Sequence, residues 1–154
     1  MKKGIMLILA LLLTACTVTP KETEAVEPLV DAKELAELTL ESAQEKYGEL
    51  KDRGPYEVDG LKGHIYGTQD YEMEFVFVDD GQKLRSAFFY PEDLTIESVN
   101  DALNALAIER NPDIELSGNR FRNPDDDGLI REIAFTGDSP KIPMKVSILQ
   151  IWFK

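Results

Sequence analysis

Two runs of alternating side chains flank Asp80-Gly81 between residues 71 and 90, and no other stretch of the chain restricts its fold as tightly. Asp-Gly tolerates the positive φ angles of a tight hairpin turn. Side chains in a strand change face at every residue, so the register of the pair decides which of them are buried. With Asp80 and Gly81 as a two-residue loop, Phe77 faces Leu84, Phe75 faces Ser86, Met73 faces Phe88 and Tyr71 faces Tyr90. This register gathers Tyr71, Met73, Phe75, Phe77, Leu84, Phe88 and Tyr90 on a buried face. Glu72, Glu74, Lys83 and Arg85 fall on the wet one, where Phe89 stands opposite Glu72.

The segments around the hairpin supply its cover. Asp31 and Glu34 form a capping box, and Ala32, Leu35, Ala36, Thr39, Ala43 and Tyr47 recur at helical spacing, which predicts a helix over residues 32–47 ending at Gly48. Gly54-Pro55 and Asp59-Gly60 predict an irregular crossing over residues 49–61, followed by a short strand near residues 62–68. Thr95 caps a second predicted helix whose stripe is Ile96, Val99, Leu103, Leu106 and Ala107, closed by Asn111-Pro112. Strands are predicted over residues 114–121, 129–136 and 142–153. The last of these is apolar in both parities, as a central or doubly covered strand would be. Asp-Asp-Gly-x5-Ala-Phe occurs twice, ending at Phe88 and at Phe135, and suggests an α-βββ pseudo-repeat. The expected fold class is therefore α+β, with two helices packed on a mainly antiparallel sheet of about five to six strands.

The N-terminus follows a different logic. Lys2 and Lys3 precede nine apolar residues, 5–13, and then small residues, the order of an export signal. Nine residues are too few to span a bilayer, which takes ~20 in a helix. Leu13-Thr14-Ala15-Cys16 resembles the lipobox of bacterial lipoproteins, and the resemblance covers the first sixteen residues. It implies cleavage after Ala15 and a diacylglycerol on the Cys16 sulfur, which would hold the protein to a membrane on the outer side of the cytoplasm, at the cell surface or in the periplasm. Two acyl chains anchor stably where one does not. The expected organisation is a signal peptide over residues 1–15, a lipidated polar tether over 16–28 and one α+β domain over 29–154.

Charge narrows the partners. The chain carries 17 Lys and Arg against 29 Asp and Glu, a net −12 that becomes −14 once Lys2 and Lys3 leave with the signal. Nucleic acid is excluded as an expected ligand, because its binding rests on cations that neutralise phosphates. Anionic headgroups repel such a surface as well, so the membrane contact falls to the lipid on Cys16. Cys16 is the sole cysteine, which leaves no disulfide and no thiol nucleophile.

Candidate chemistry is sparse. Asn123, Asp125 and Asp127 fall at positions one, three and five of an EF-hand-like calcium loop, with Gly128 at six, but position twelve is Ala134 and not a bidentate glutamate. They are the candidate calcium ligands, set against an aspartate-rich turn. His64 is the sole histidine and has no Gly-x-Ser-x-Gly elbow beside it. No catalytic residue and no cofactor is assigned. Phe89 and Trp152 are the candidate binding aromatics. The expectation is a lipid-anchored extracytoplasmic binding or accessory domain that engages another envelope protein or polymer. A carboxylate-dependent envelope hydrolase and an assembly lipoprotein are the alternatives.

Overall fold

The computed structural model describes residues 28–154, so the signal peptide and Cys16 lie outside the described residues. Two short helices come first, α1 (Ala32–Ala36) and α2 (Leu40–Tyr47), then four strands, β1 (Lys51–Val58), β2 (Leu61–Gly67), β3 (Met73–Val78) and β4 (Lys83–Phe89). A short strand β5 (Leu94–Ile96) and helix α3 (Val99–Asn104) follow. The chain ends with β6 (Glu115–Ser117), β7 (Arg120–Arg122), β8 (Ile130–Gly137) and β9 (Met144–Phe153). All ladders are antiparallel, and the strands form one sheet in the order β1-β2-β3-β4-β9-β8-β7-β6, with β5 also paired to β9. Two four-stranded meanders thus meet along β4 and β9.

This corrects the expected fold of two helices on five to six strands. Nine strands are present among the described residues, and only α2, with eight residues, exceeds two turns. The expected long first helix breaks at Thr39, whose hydroxyl accepts from the Ser42 amide while the Ser42 hydroxyl accepts from the Thr39 amide. That capping box starts a new helix, and Leu38 ahead of it is buried. Asp31 caps α1, accepting from the amides of Lys33 and Glu34, but the expected capping box is not completed, since the Glu34 carboxylate pairs with Lys46. Ser98, not Thr95, caps α3, and Thr95 pairs with Lys145 in β5.

The expected irregular crossing is a hairpin. Asp59 (φ 53°) and Gly60 (φ 79°) both take positive φ, the two-residue turn that suits the twist of paired strands. Gly54-Pro55 does not break β1, because β1 is an edge strand with a register shift between Asp52 and Gly54, where proline costs no ladder hydrogen bond. Similarly, residues 114–121 are not one strand, since the chain reverses at Gly118-Asn119 between β6 and β7.

The central hairpin keeps the expected pair Phe77–Leu84 and then departs from it. Val76 faces Ser86 and Phe75 faces Ala87, so Arg85 is an extra residue in β4. Beyond this bulge every side chain of β4 lies on the face opposite to the expected one, and Phe89 is buried at 3% exposure, edge-on to Phe75. The same device explains the two apolar parities of β9. Register shifts by one at Ser147, so Met144 and Val146 face the core ahead of it and Leu149, Ile151 and Phe153 face the core after it. The Ala-Phe pairs of the recurring motif are not equivalent either, for Ala87 enters the core with Phe88 outside, whereas Phe135 enters with Ala134 outside.

The helices cover one face. Leu35, Ala43, Leu103 and Leu106 pack with Phe75, Phe77, Phe89, Phe121, Phe135, Leu149 and Ile151, and Tyr47 stacks on Phe75 at 5.3 Å. Each fully buried Leu, Ile or Phe among them contributes roughly 1.5–3 kcal/mol through apolar burial. The other face is not flat to solvent, since Val76, Val78 and Ser86 point that way and are buried as well.

Candidate functional site

What buries Val76 and Ser86 is the curl of the sheet. β2 and β8 stand four places apart, about 19 Å in a flat sheet with strands ~4.8 Å apart. Yet residues of the β1–β2 tip and of β7 and β8 line one groove of about 290 Å³. Tyr56, Val58 and Leu61 form one wall, because the Val58–Leu61 and Tyr56–Gly63 pairs place them on the face away from the helices. Arg120 and Arg122 of β7, Glu132 of β8 and Trp152 of β9 form the other, with Arg85 and Arg131 beside them.

Two of these arginines are there because of bulges. Arg85 is the extra residue of β4, and Arg131 is an extra residue of β8, passed over between the pairs Ile130–Phe153 and Glu132–Trp152. A bulge lets two neighbouring residues serve one side of a strand, so Leu84 and Ile130 keep their core places while Arg85-Ser86 and Arg131-Glu132 both turn toward the groove. Arg85 Nη1 donates to the Phe153 carbonyl at 2.6 Å, and Phe153 is paired with Ile130 beside the second bulge. The two irregularities are therefore tied together across β9.

The groove concentrates positive charge on an acidic protein. Four of the six arginines in the sequence line it. Glu132, 12% exposed, accepts from both Arg120 Nη1 at 2.6 Å and Arg122 Nε at 3.2 Å, which holds the two guanidinium groups side by side. Arg120 also lies 5.9 Å from the centre of the Trp152 ring. With Asp59 at the tip and Glu132 inside, four arginines leave a local surplus of two positive charges. Guanidinium groups bind carboxylate and phosphate oxygens through paired N–H donors, and Arg beside an aromatic face is the preferred form of such a site.

The sites expected from sequence divide sharply. Trp152 lies in the groove, whereas Phe89 belongs to the core and leaves the polar face it was expected to occupy. Asn123, Asp125 and Asp127 do not converge. Asp125, 1% exposed, turns inward and accepts from the amides of Leu129 at 2.9 Å and Ile130 at 3.2 Å, while Asp127 pairs with Lys33 on the surface. Among the described residues no three His, Cys, Asp or Glu side chains stand close enough to share a metal ion. His64 Nδ1 meets Asp52 Oδ2 at 2.9 Å on the exposed edge hairpin. The Gly54 amide, with His64 adding to it, draws the Asp52 carboxyl below its ordinary range.

The four arginines were not singled out in the sequence. Arg120 and Arg122, two residues apart, carry a readable signal of a shared face, but the placing of Arg85 and Arg131 depends on bulges that leave no mark in the pattern. A larger cleft, about 820 Å³, opens where the described chain begins, with Val30, Tyr47, Met73 and Phe89 inside and Asp31, Glu72, Glu92 and Asp93 around it. Two of these carboxylates are engaged, Asp31 in capping α1 and Asp93 with Lys145. Compared with protein-family models, with curated proteins and with solved structures, the chain matches none.

Proposed function

We propose that this protein is a lipid-anchored extracytoplasmic binding domain, and that its binding surface is the arginine groove, which takes an anionic ligand. One observation carries the second half of the reading. Four of six arginines converge on one concave patch, two of them through strand bulges, in a chain whose net charge is −12. Like charges crowd together only where something else fixes them, and Glu132 and Asp59 together still leave a surplus of two. The first half rests on the lipobox-like residues 13–16 and on a tether able to lift the domain up to ~40 Å at ~3.3 Å per residue.

The test uses the full chain in nonionic detergent and the fluorescence of Trp152, the sole tryptophan. Inorganic phosphate and acetate should each give a saturable change that weakens as sodium chloride rises, since exposed charge contacts are screened over ~10 Å at 0.1 M salt. Arg131→Gln should weaken it as well. A signal insensitive to both anions overturns the assignment of the groove.

A further inference from the structure

Resting on that reading of the groove, we infer that its ligand is a small sugar ring bearing one anionic group, a sugar acid or a sugar phosphate, and not a peptide or an extended polyanion. Four features of the groove lead there.

A peptide held by its main chain needs unpaired strand edges. The floor is built from β4, β9 and β8, which are interior strands with neighbours on both sides, so main-chain groups there are already engaged. Of the strands lining the groove only β1 is an edge, and Pro55 and the irregularity between Asp52 and Gly54 blunt it, so recognition falls to side chains.

An extended polyanion would have to cross the surface outside the groove. That surface carries the remaining charge of a −12 chain, while the local surplus inside is only two positive charges. Attraction is confined to one or two ligand charges, and everything further out is repelled.

The groove also holds acceptors. Glu132 and Asp59 stand among the arginines, and for a bare anion both are unfavourable. For a ligand with hydroxyl groups next to its charge they are hydrogen-bond acceptors, matched to the donors of Arg120, Arg122 and Arg131. A mixed set of donors and acceptors around one charge is what a ring of hydroxyls with a carboxylate or phosphate requires.

Finally, the walls carry two rings. Tyr56 on the hairpin tip and Trp152 on β9 line the groove from opposite sides, each half-buried. Aromatic faces of this kind cover the C–H faces of a sugar, while the polar lining rules out a long acyl chain as the occupant.

The experiment compares D-glucuronate, glucose 1-phosphate, D-glucose and inorganic phosphate on the full chain in nonionic detergent, read by Trp152 fluorescence and by titration calorimetry. The two sugar anions should bind at least about tenfold tighter than either glucose or inorganic phosphate, a difference of ~1.4 kcal/mol. Arg131→Gln should remove most of that gain, and Arg131→Lys, which keeps the charge without the fork, should fall between. Tyr56→Ala should weaken the sugar anions while leaving inorganic phosphate unchanged. A disaccharide ending in glucuronate separates the two sources, binding at least as tightly as the free acid if the ligand is the end of a glycan and more weakly if it is a free solute. Inorganic phosphate binding as tightly as the sugar anions overturns the sugar inference and leaves the anion site standing. A long polyphosphate that binds tighter than all of them overturns it too. Silence toward every anion overturns both.

Discussion

Asp125→Ala is the substitution that tests the turn before β8 most directly. The carboxylate is 1% exposed and accepts from two amides, Leu129 at 2.9 Å and Ile130 at 3.2 Å, and its own carbonyl accepts from the Asn111 side chain at 3.1 Å. Truncation to alanine leaves the last of these bonds intact and orphans both amides. A buried donor without a partner costs roughly 1–3 kcal/mol. The Ile130 amide is fully enclosed and should cost near the middle of that range, whereas Leu129 is 38% exposed, so its amide can recruit water at a smaller cost. The expected loss is about 2–4 kcal/mol, with Asp125→Asn losing about half, since one carbonyl oxygen remains to accept. Equilibrium urea unfolding of the full chain at neutral pH measures both, read as a shift of the midpoint at unchanged slope. Asp127→Ala, which removes only a surface pair with Lys33, should cost less than about 1 kcal/mol. A loss under about 0.5 kcal/mol for Asp125→Ala would refute the reasoning. So would millimolar calcium raising the midpoint of the natural chain but not of Asp127→Ala, because the three candidate ligands would then have to share an ion.

Other expectations follow from single features. Phe89→Asp should cost several kcal/mol by driving a charge into the core, while Phe88→Asp, on the half-exposed opposite side, should cost markedly less; equal losses would show that the bulge at Arg85 is misplaced. Burial, with Glu74 Oε2 accepting from the hydroxyl at 2.8 Å, pushes Tyr90 up to about 12. The folded state therefore favours its neutral form, so the stability it contributes is complete below the ordinary tyrosine value of ~10 and is lost as pH rises through 12. Burial raises Tyr47 too, so in a spectrophotometric titration of the five tyrosines Tyr90 and Tyr47 should ionise late, and five phenolates forming together would contradict this. Deleting Arg85 should leave a folded protein with unchanged circular dichroism, since Phe77–Leu84 and Val76–Ser86 become consecutive pairs of a regular ladder; loss of cooperative unfolding would refute the register. Cys16→Ser should accumulate as unprocessed precursor, and a variant that is still lipidated and membrane-bound would overturn the lipobox reading.

Parts of the fold were legible where the signals are local. Asp80-Gly81, the Phe77–Leu84 pair, the stop at Gly48 and the strand at residues 144–153 each depend on a few neighbouring residues. The failures share one cause, which is tertiary choice between local options of similar weight. Thr39 and Ser42 read equally well as helix interior or as a new cap, and packing of Leu38 decided for the cap. Gly54-Pro55 argues against a strand unless the strand is an edge, which only the sheet order reveals. Bulges are the extreme case, because an inserted residue inverts every parity beyond it. Thus Phe89 was assigned to the wet face and β9 seemed to need cover on both sides. Trp152 was found in the sequence as an aromatic, but its arginine neighbours are assembled from three strands and could not be.

The extra residues in β4 and β8 also separate the two tasks of the sheet. A regular strand must trade one face against the other, since any shift in spacing moves core and surface together. Here Arg85 and Arg131 stand outside the count, and the pairs on either side of each already match the rhythm of an uninterrupted ladder. The chemistry of the recess can therefore be rewritten one residue at a time, by exchange, loss or gain at these two places, while the hydrophobic interior keeps its arrangement.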